Sequence, residues 1–194
     1  MAQTPKSTDA PARLSKAERA WLLKSATYAS VLVACSLVFG KIWAWQATDS
    51  VSILSSLADS VLDVLASLLT FWAIRYSLEP PDREHRFGHG KSEGLAALLQ
   101  ALIICGSGVF VCYEAIQRLM APVPITKAGA GIAVLVASTL ATVALVFYQH
   151  YVKRKTGSLA ISADAMHYKT DVLVNVVVAG AVLGVDRGDL VLVH

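Results

Sequence analysis

Asp59 and Asp63 stand four residues apart in the stretch LADSVLDVLA, which is otherwise short of charge. On a helix that spacing stacks the two carboxylates on one face, one turn apart. His167 and Asp171 repeat the spacing further along, in the stretch SADAMHYKTD. An aspartate at the centre of a bilayer costs about 2.5–3.5 kcal/mol, and intramembrane acids mark ion paths. Two such turns therefore read as the two halves of one cation site. Three carboxylates and an imidazole are a donor set that zinc accepts in tetrahedral geometry at about 2.0–2.2 Å. The lack of a thiolate argues against Cu(I), and the imidazole argues against Mg²⁺ or Ca²⁺. Zn²⁺ leads, with Cd²⁺, Fe²⁺, Co²⁺ and Mn²⁺ left open. Metal and protons compete for the same atoms. A site that exchanges one for the other across a membrane makes an antiporter, with His167 and Asp63 as the proton-coupling residues, His167 being the member that titrates nearest neutral pH. Asp164 shares the face of His167, one turn earlier, and reads as a polar residue at the helix mouth rather than a ligand.

The elements that must hold these groups are membrane helices. Of the 194 residues, 55% are hydrophobic and 16% charged, and the mean hydropathy is +0.56. Soluble domains run nearer about 45–50% apolar and about 25% charged. The net charge of +3 comes from Lys and Arg clustered between apolar runs, which gives no reason to expect a nucleic-acid partner. Cys35, Cys105 and Cys112 are scattered in apolar segments without CxxC spacing and read as small packing residues. Residues 1–22 read as a polar cytoplasmic leader without the features of a signal peptide. The rest, 23–194, reads as a transmembrane domain with apolar runs at roughly 26–46, 51–77, 93–117, 125–150 and 158–184. A further scrap, Leu190, Val191, Leu192 and Val193, begins another run. Lys and Arg gather in the leader (Lys6, Arg13, Lys16, Arg19, Lys24), after the second run (Arg75, Arg83, Arg86, Lys91) and after the fourth (Lys153, Arg154, Lys155). The positive-inside rule then predicts a cytoplasmic N-terminus and an outer C-terminus after five spans. Trp43, Trp45, Trp72 and Tyr76 fit interfacial anchors.

The segment after the second run reads PPDREHRFGHGKSE. Pro80 and Pro81 end the helix. Asp82, His85 and His89 lie close enough in sequence to converge on a second ion, and their spacing equally suits a polar loop with capping side chains.

The HRFGHGKSE loop, the DxxxD of the second helix and the HxxxD of the fifth occur in an order that resembles the cation diffusion facilitator family, closest to its bacterial zinc and iron efflux members. The resemblance covers roughly residues 20–185. It implies an all-α integral membrane protein, five transmembrane helices of a six-helix transmembrane domain, working as a secondary transporter rather than an enzyme. It implies a transport site at Asp59, Asp63, His167 and Asp171, of the zinc- and cadmium-handling type. It also implies a second, lower-affinity site at Asp82, His85 and His89, and a role for Lys91 at a dimer junction. A homodimer in lipid, multi-pass in a bacterial inner membrane, follows from the same likeness. Family members continue into a sixth helix and a cytoplasmic metal-binding domain, so the expectation is a chain truncated before both. Two rival classes stand beside this reading: a remnant that binds metal without moving it, and a membrane metalloenzyme. The second is weakened by the lack of HExxH or of a nucleophile beside the ligands.

Overall fold

Ser15 opens the first helix with a capping box: its hydroxyl accepts from the Glu18 N–H at 3.1 Å, and the Glu18 carboxylate accepts from the Ser15 N–H at 2.8 Å. The computed structural model describes residues 14–48, 51–120 and 128–186. Residues 1–13 of the leader, Arg187 and the run at 190–193 lie outside them. The described residues form five helices and no strands: α1 (Lys16–Thr48), α2 (Val51–Ser77), α3 (Lys91–Met120), α4 (Ala128–Thr156) and α5 (Leu159–Asp186). Three of them contain stretches long and apolar enough to cross a membrane, Lys16–Gln46, Ser56–Ser77 and Lys91–Tyr113. The chain is an all-α membrane protein. α1 begins well before its apolar run because the capping box satisfies N–H groups that a lipid-embedded start would strand.

Local chemistry explains the tight connections. Gly157 adopts φ +67°, a left-handed conformation that costs glycine little, and its N–H closes on the Lys153 carbonyl at 2.8 Å to end α4. The next residue, Ser158, caps α5 by accepting from the Ile161 N–H at 3.3 Å. The start of α3 is tied to the end of α2 by the Ser92 hydroxyl, which donates to the Ala73 carbonyl at 3.0 Å.

A buried cluster of Leu22, Leu23, Ala26, Ile74, Ala96, Val152, Ala160 and Ile161 brings the starts of α1, α3 and α5 together with the ends of α2 and α4. The helices therefore run alternately up and down, with the loop 78–90 at this end of the bundle. α1 packs on α2 and α4, and α5 on α3 and α4, with α2 also touching α3 and α5. Beyond the apolar cluster the interior turns polar: Thr27, Ser30, Ser60, Ser67, Thr70, Gln100, Gln149, Asp164 and His167 are all buried. The outer surface carries exposed Leu32, Phe39, Leu65, Leu98, Leu102, Phe147 and Val177. Lipid is as apolar as leucine, so association of such helices relies on close packing of small residues and on interhelical hydrogen bonds.

Candidate metal centre

His167, on α5, is 3% exposed and sits at the heart of the polar interior. Its Nε2 lies 3.1 Å from Oδ1 of Asp63 on α2 and 3.8 Å from Oδ2 of Asp171, one turn along its own helix. One potential ligand atom from each of the three residues falls within 4.8 Å of the others. The Asp171 Oδ2 is buried without a hydrogen-bond partner. Two carboxylates aimed at a single imidazole nitrogen, one of them with an unsatisfied oxygen, suit a cation better than a closed hydrogen-bond network.

Asp59 stands apart from this triad. It is exposed on α2, outside the cluster of Asp63, His167 and Asp171, though near enough to Asp171 and Lys41 to interact electrostatically with both. Three of the four residues singled out in the sequence are thus gathered, with Asp59 at the margin.

Asp164 is not at a helix mouth. It is completely buried and accepts hydrogen bonds from Ser30 on α1 (2.7 Å), Gln100 on α3 (3.1 Å) and Gln149 on α4 (2.6 Å). The Ser30 hydroxyl is also 2.9 Å from that of Ser67, which lies 2.7 Å from the Tyr168 hydroxyl. The short α4–α5 turn starts α5 deep enough that its second turn is already enclosed. Asp164 therefore ties three helices to α5 one turn below His167. No periodicity flags Gln100 or Gln149; a polar amide within an apolar run is the only signal that would have pointed to them.

Two further groups escaped the sequence reading. Arg19 reaches Glu93 at 3.5 Å, and the Ser158 hydroxyl donates to the other Glu93 oxygen at 2.5 Å, joining α1, α3 and the start of α5 at the loop end of the bundle. Lys41, within the apolar part of α1, turns towards α2: its Nζ donates to the Ser60 hydroxyl at 2.6 Å and the Ser56 carbonyl at 2.9 Å. A lone lysine inside an apolar run was the available signal.

The loop forms a second cluster. Asp82 Oδ1 accepts from the backbone N–H groups of Glu84 (3.0 Å) and His85 (2.5 Å). His85 Nδ1 lies 3.3 Å from Asp82 Oδ1, and His89 Nε2 lies 3.5 Å from Asp82 Oδ2. The two imidazole rings are 4.6 Å apart, and Tyr76 packs edge-on against His89 at 4.4 Å. Gly88, at φ +78°, makes the turn that folds His89 back under the loop. The backbone N–H of His85 above all holds the Asp82 carboxyl below its usual range; desolvation opposes it, and the nearby imidazoles add to the lowering. His89 Nδ1 is buried and has no hydrogen-bond partner. Oδ1 of Asp82 is thus engaged by the backbone and by His85, and its Oδ2 faces His89. Lys91 is exposed at the first position of α3.

Residues 27–188 match the family model described as the cation efflux transmembrane domain. The chain is 46% identical over 162 residues to the cation-efflux pump FieF of Klebsiella pneumoniae (strain 342), an alignment covering 84% of this chain and 53% of that protein. The cation-efflux pump FieF of Salmonella choleraesuis (strain SC-B67) is similar to the same extent, 46% over 162 residues. The chain spans about half the length of the curated relatives it matches.

Proposed function

The chain belongs to the cation efflux family, and from that premise we propose that it forms the membrane-embedded part of a carrier that exports a divalent metal, Zn²⁺ foremost, in exchange for protons. It is a transporter component and not an enzyme. The observation that carries the proposal is the meeting of Asp63, His167 and Asp171 inside the bundle, with ligand atoms within 4.8 Å. α2 and α5 each contribute, so a relative movement of these two helices would open or close the site. Asp59 supplies a fourth oxygen after a small rotation of α2 or of its own side chain. The donor set of imidazole and carboxylate suits Zn²⁺ and, less well, Cd²⁺, Fe²⁺, Co²⁺ or Mn²⁺.

Coupling follows from ligand chemistry. A ligand atom that holds a proton cannot hold the metal. His167 and Asp63 share one short contact, 3.1 Å, so a proton arriving between them displaces the ion. Asp82, His85 and His89 form a second, weaker site in the loop. The N-terminus faces the cytoplasm, the membrane is the bacterial inner membrane, and the working unit is a homodimer with Lys91 near the junction.

The test is flux. The chain is reconstituted into liposomes with a zinc-sensitive dye inside and an acidic lumen. Zinc entry that requires the pH gradient and disappears in Asp63→Ala is the expected result. Zinc bound to the protein without entry would leave a metal-holding membrane segment in place of a carrier.

A further inference from the structure

Lys41 raises a question of charge balance. A lysine near a helix end ordinarily extends its stem so that the ammonium reaches the membrane surface. Lys41 instead bends towards α2 and spends its hydrogen bonds on the Ser60 hydroxyl and the Ser56 carbonyl. Ser60 is 1% exposed and lies between the two aspartates of α2. From there the ammonium interacts electrostatically with Asp63, Asp59 and Asp171. Asp164 and its amide partners flank His167 on the loop side, and Lys41 flanks the triad on the side of the α1–α2 connection. The carboxylates thus have a cation of their own at one end.

We propose that Lys41 is the resident counter-cation of the intramembrane site, and that it sets the site's affinity by competing with the bound metal for the same carboxylates. This rests on the assignment of Asp63, His167 and Asp171 as the metal site. Without metal, clustered carboxylates in a low-dielectric interior repel one another, and a tethered ammonium offsets part of that cost. When a dication arrives, the ammonium repels it, and its share of the carboxylate charge is lost. Binding is weakened, which a carrier needs, since an ion held too tightly does not leave. Lys41 is therefore a specificity and positioning residue: it sets how much charge an incoming cation must bring.

The experiment is Zn²⁺ titration of the whole chain in lipid nanodiscs at one fixed pH. Wild type is compared with Lys41→Gln, Lys41→Arg and His167→Ala. Glutamine keeps an N–H donor for Ser60 and Ser56 but removes the charge; arginine keeps the charge. Lys41→Gln should bind Zn²⁺ about tenfold more tightly, and Lys41→Arg should stay within about twofold of wild type. A merely structural lysine would give the opposite sign, since loosening the α1–α2 contact would weaken the site. Unchanged or weaker binding by Lys41→Gln overturns the inference while leaving the site assignment intact. Zinc binding that survives His167→Ala unaltered overturns the site assignment and this inference with it. Should Lys41→Gln not yield monodisperse protein, Lys41→Met carries the same charge removal and the same expected tightening. If neither variant folds, Lys41 is a structural anchor and the proposal fails.

Discussion

The loop cluster and the intramembrane cluster draw on the same two side-chain types, aspartate and histidine, in opposite surroundings. Asp82, His85 and His89 sit within one short loop, where the Asp82 side chain is 53% exposed. Asp63 and His167 come from residues 104 apart in sequence, and their side chains are only 17% and 4% exposed. In the loop, water competes with any ion, and Asp82 Oδ1 already accepts two backbone N–H groups. In the bundle, the His167 side chain is nearly sealed from solvent and Asp171 Oδ2 has no hydrogen-bond partner. On the proposed assignment an ion gains more by entering the bundle, and its binding there would depend on the packing of α2 against α5. The loop asks only for local folding. Ligand identity alone does not separate a strong site from a weak one; desolvation and the distance the chain must travel to assemble the ligands do.

Breaking the inner cluster should have the largest effect. Asp63→Ala is expected to weaken the tighter of two zinc equivalents by more than about a hundredfold, beyond what loss of a supporting group costs. The loop equivalent should remain, and calorimetry on the purified variant reads both. Replacing His85 and His89 together by Ala should remove the weaker equivalent and leave the tighter one within about twofold, as expected for sites that share no partners. An unchanged stoichiometry in that double variant would assign the loop histidines to capping alone.

Asp82 gives a pH test of the same contrast. Its folded-state carboxyl is held below the ordinary value of about 3.9. The bonds that hold it down are fully present above that ordinary value and are lost only as pH falls through the lower, folded one. Asp82 therefore remains an anion throughout mild acidification. Asp82→Asn should weaken loop zinc binding by about tenfold, and by the same factor at about pH 7 and about pH 5. A factor that shrinks towards one at the lower pH would mean that Asp82 had already been protonated there. The smallest effect is expected at Asp59. Because it lies outside the triad, Asp59→Asn should weaken Zn²⁺ only several-fold while improving Mn²⁺ relative to Zn²⁺, through loss of one ligand charge. Competition titrations with the two metals measure the ranking.

The helices and the two acid-bearing turns were readable from spacing and hydropathy, because a bilayer imposes long apolar runs and makes each polar residue within them conspicuous. The family likeness of the three motifs led to the same reading. Spacing could say that Asp59 and Asp63 share a face, but not that α2 is rotated to turn Asp63 inward and leave Asp59 at the edge. That orientation depends on packing with other helices, where Lys41 of α1 bonds Ser60 of α2, and spacing within α2 carries no record of it. The depth of Asp164 was equally hidden, since it follows from the two-residue turn at Gly157 and Ser158 and from partners on three other helices. Side-chain hydrogen bonds between distant helices leave no periodic trace in the chain.

Whether α2 and α5 jointly hold the ion can be read from anomalous X-ray scattering at the zinc edge from crystals of the chain grown with Zn²⁺. The expected result is a peak between α2 and α5 at about 2.0–2.2 Å from a carboxylate oxygen of Asp63 and of Asp171 and from Nε2 of His167, with a second, weaker peak at Asp82, His85 and His89. A zinc peak in the loop with none between α2 and α5 would contradict it.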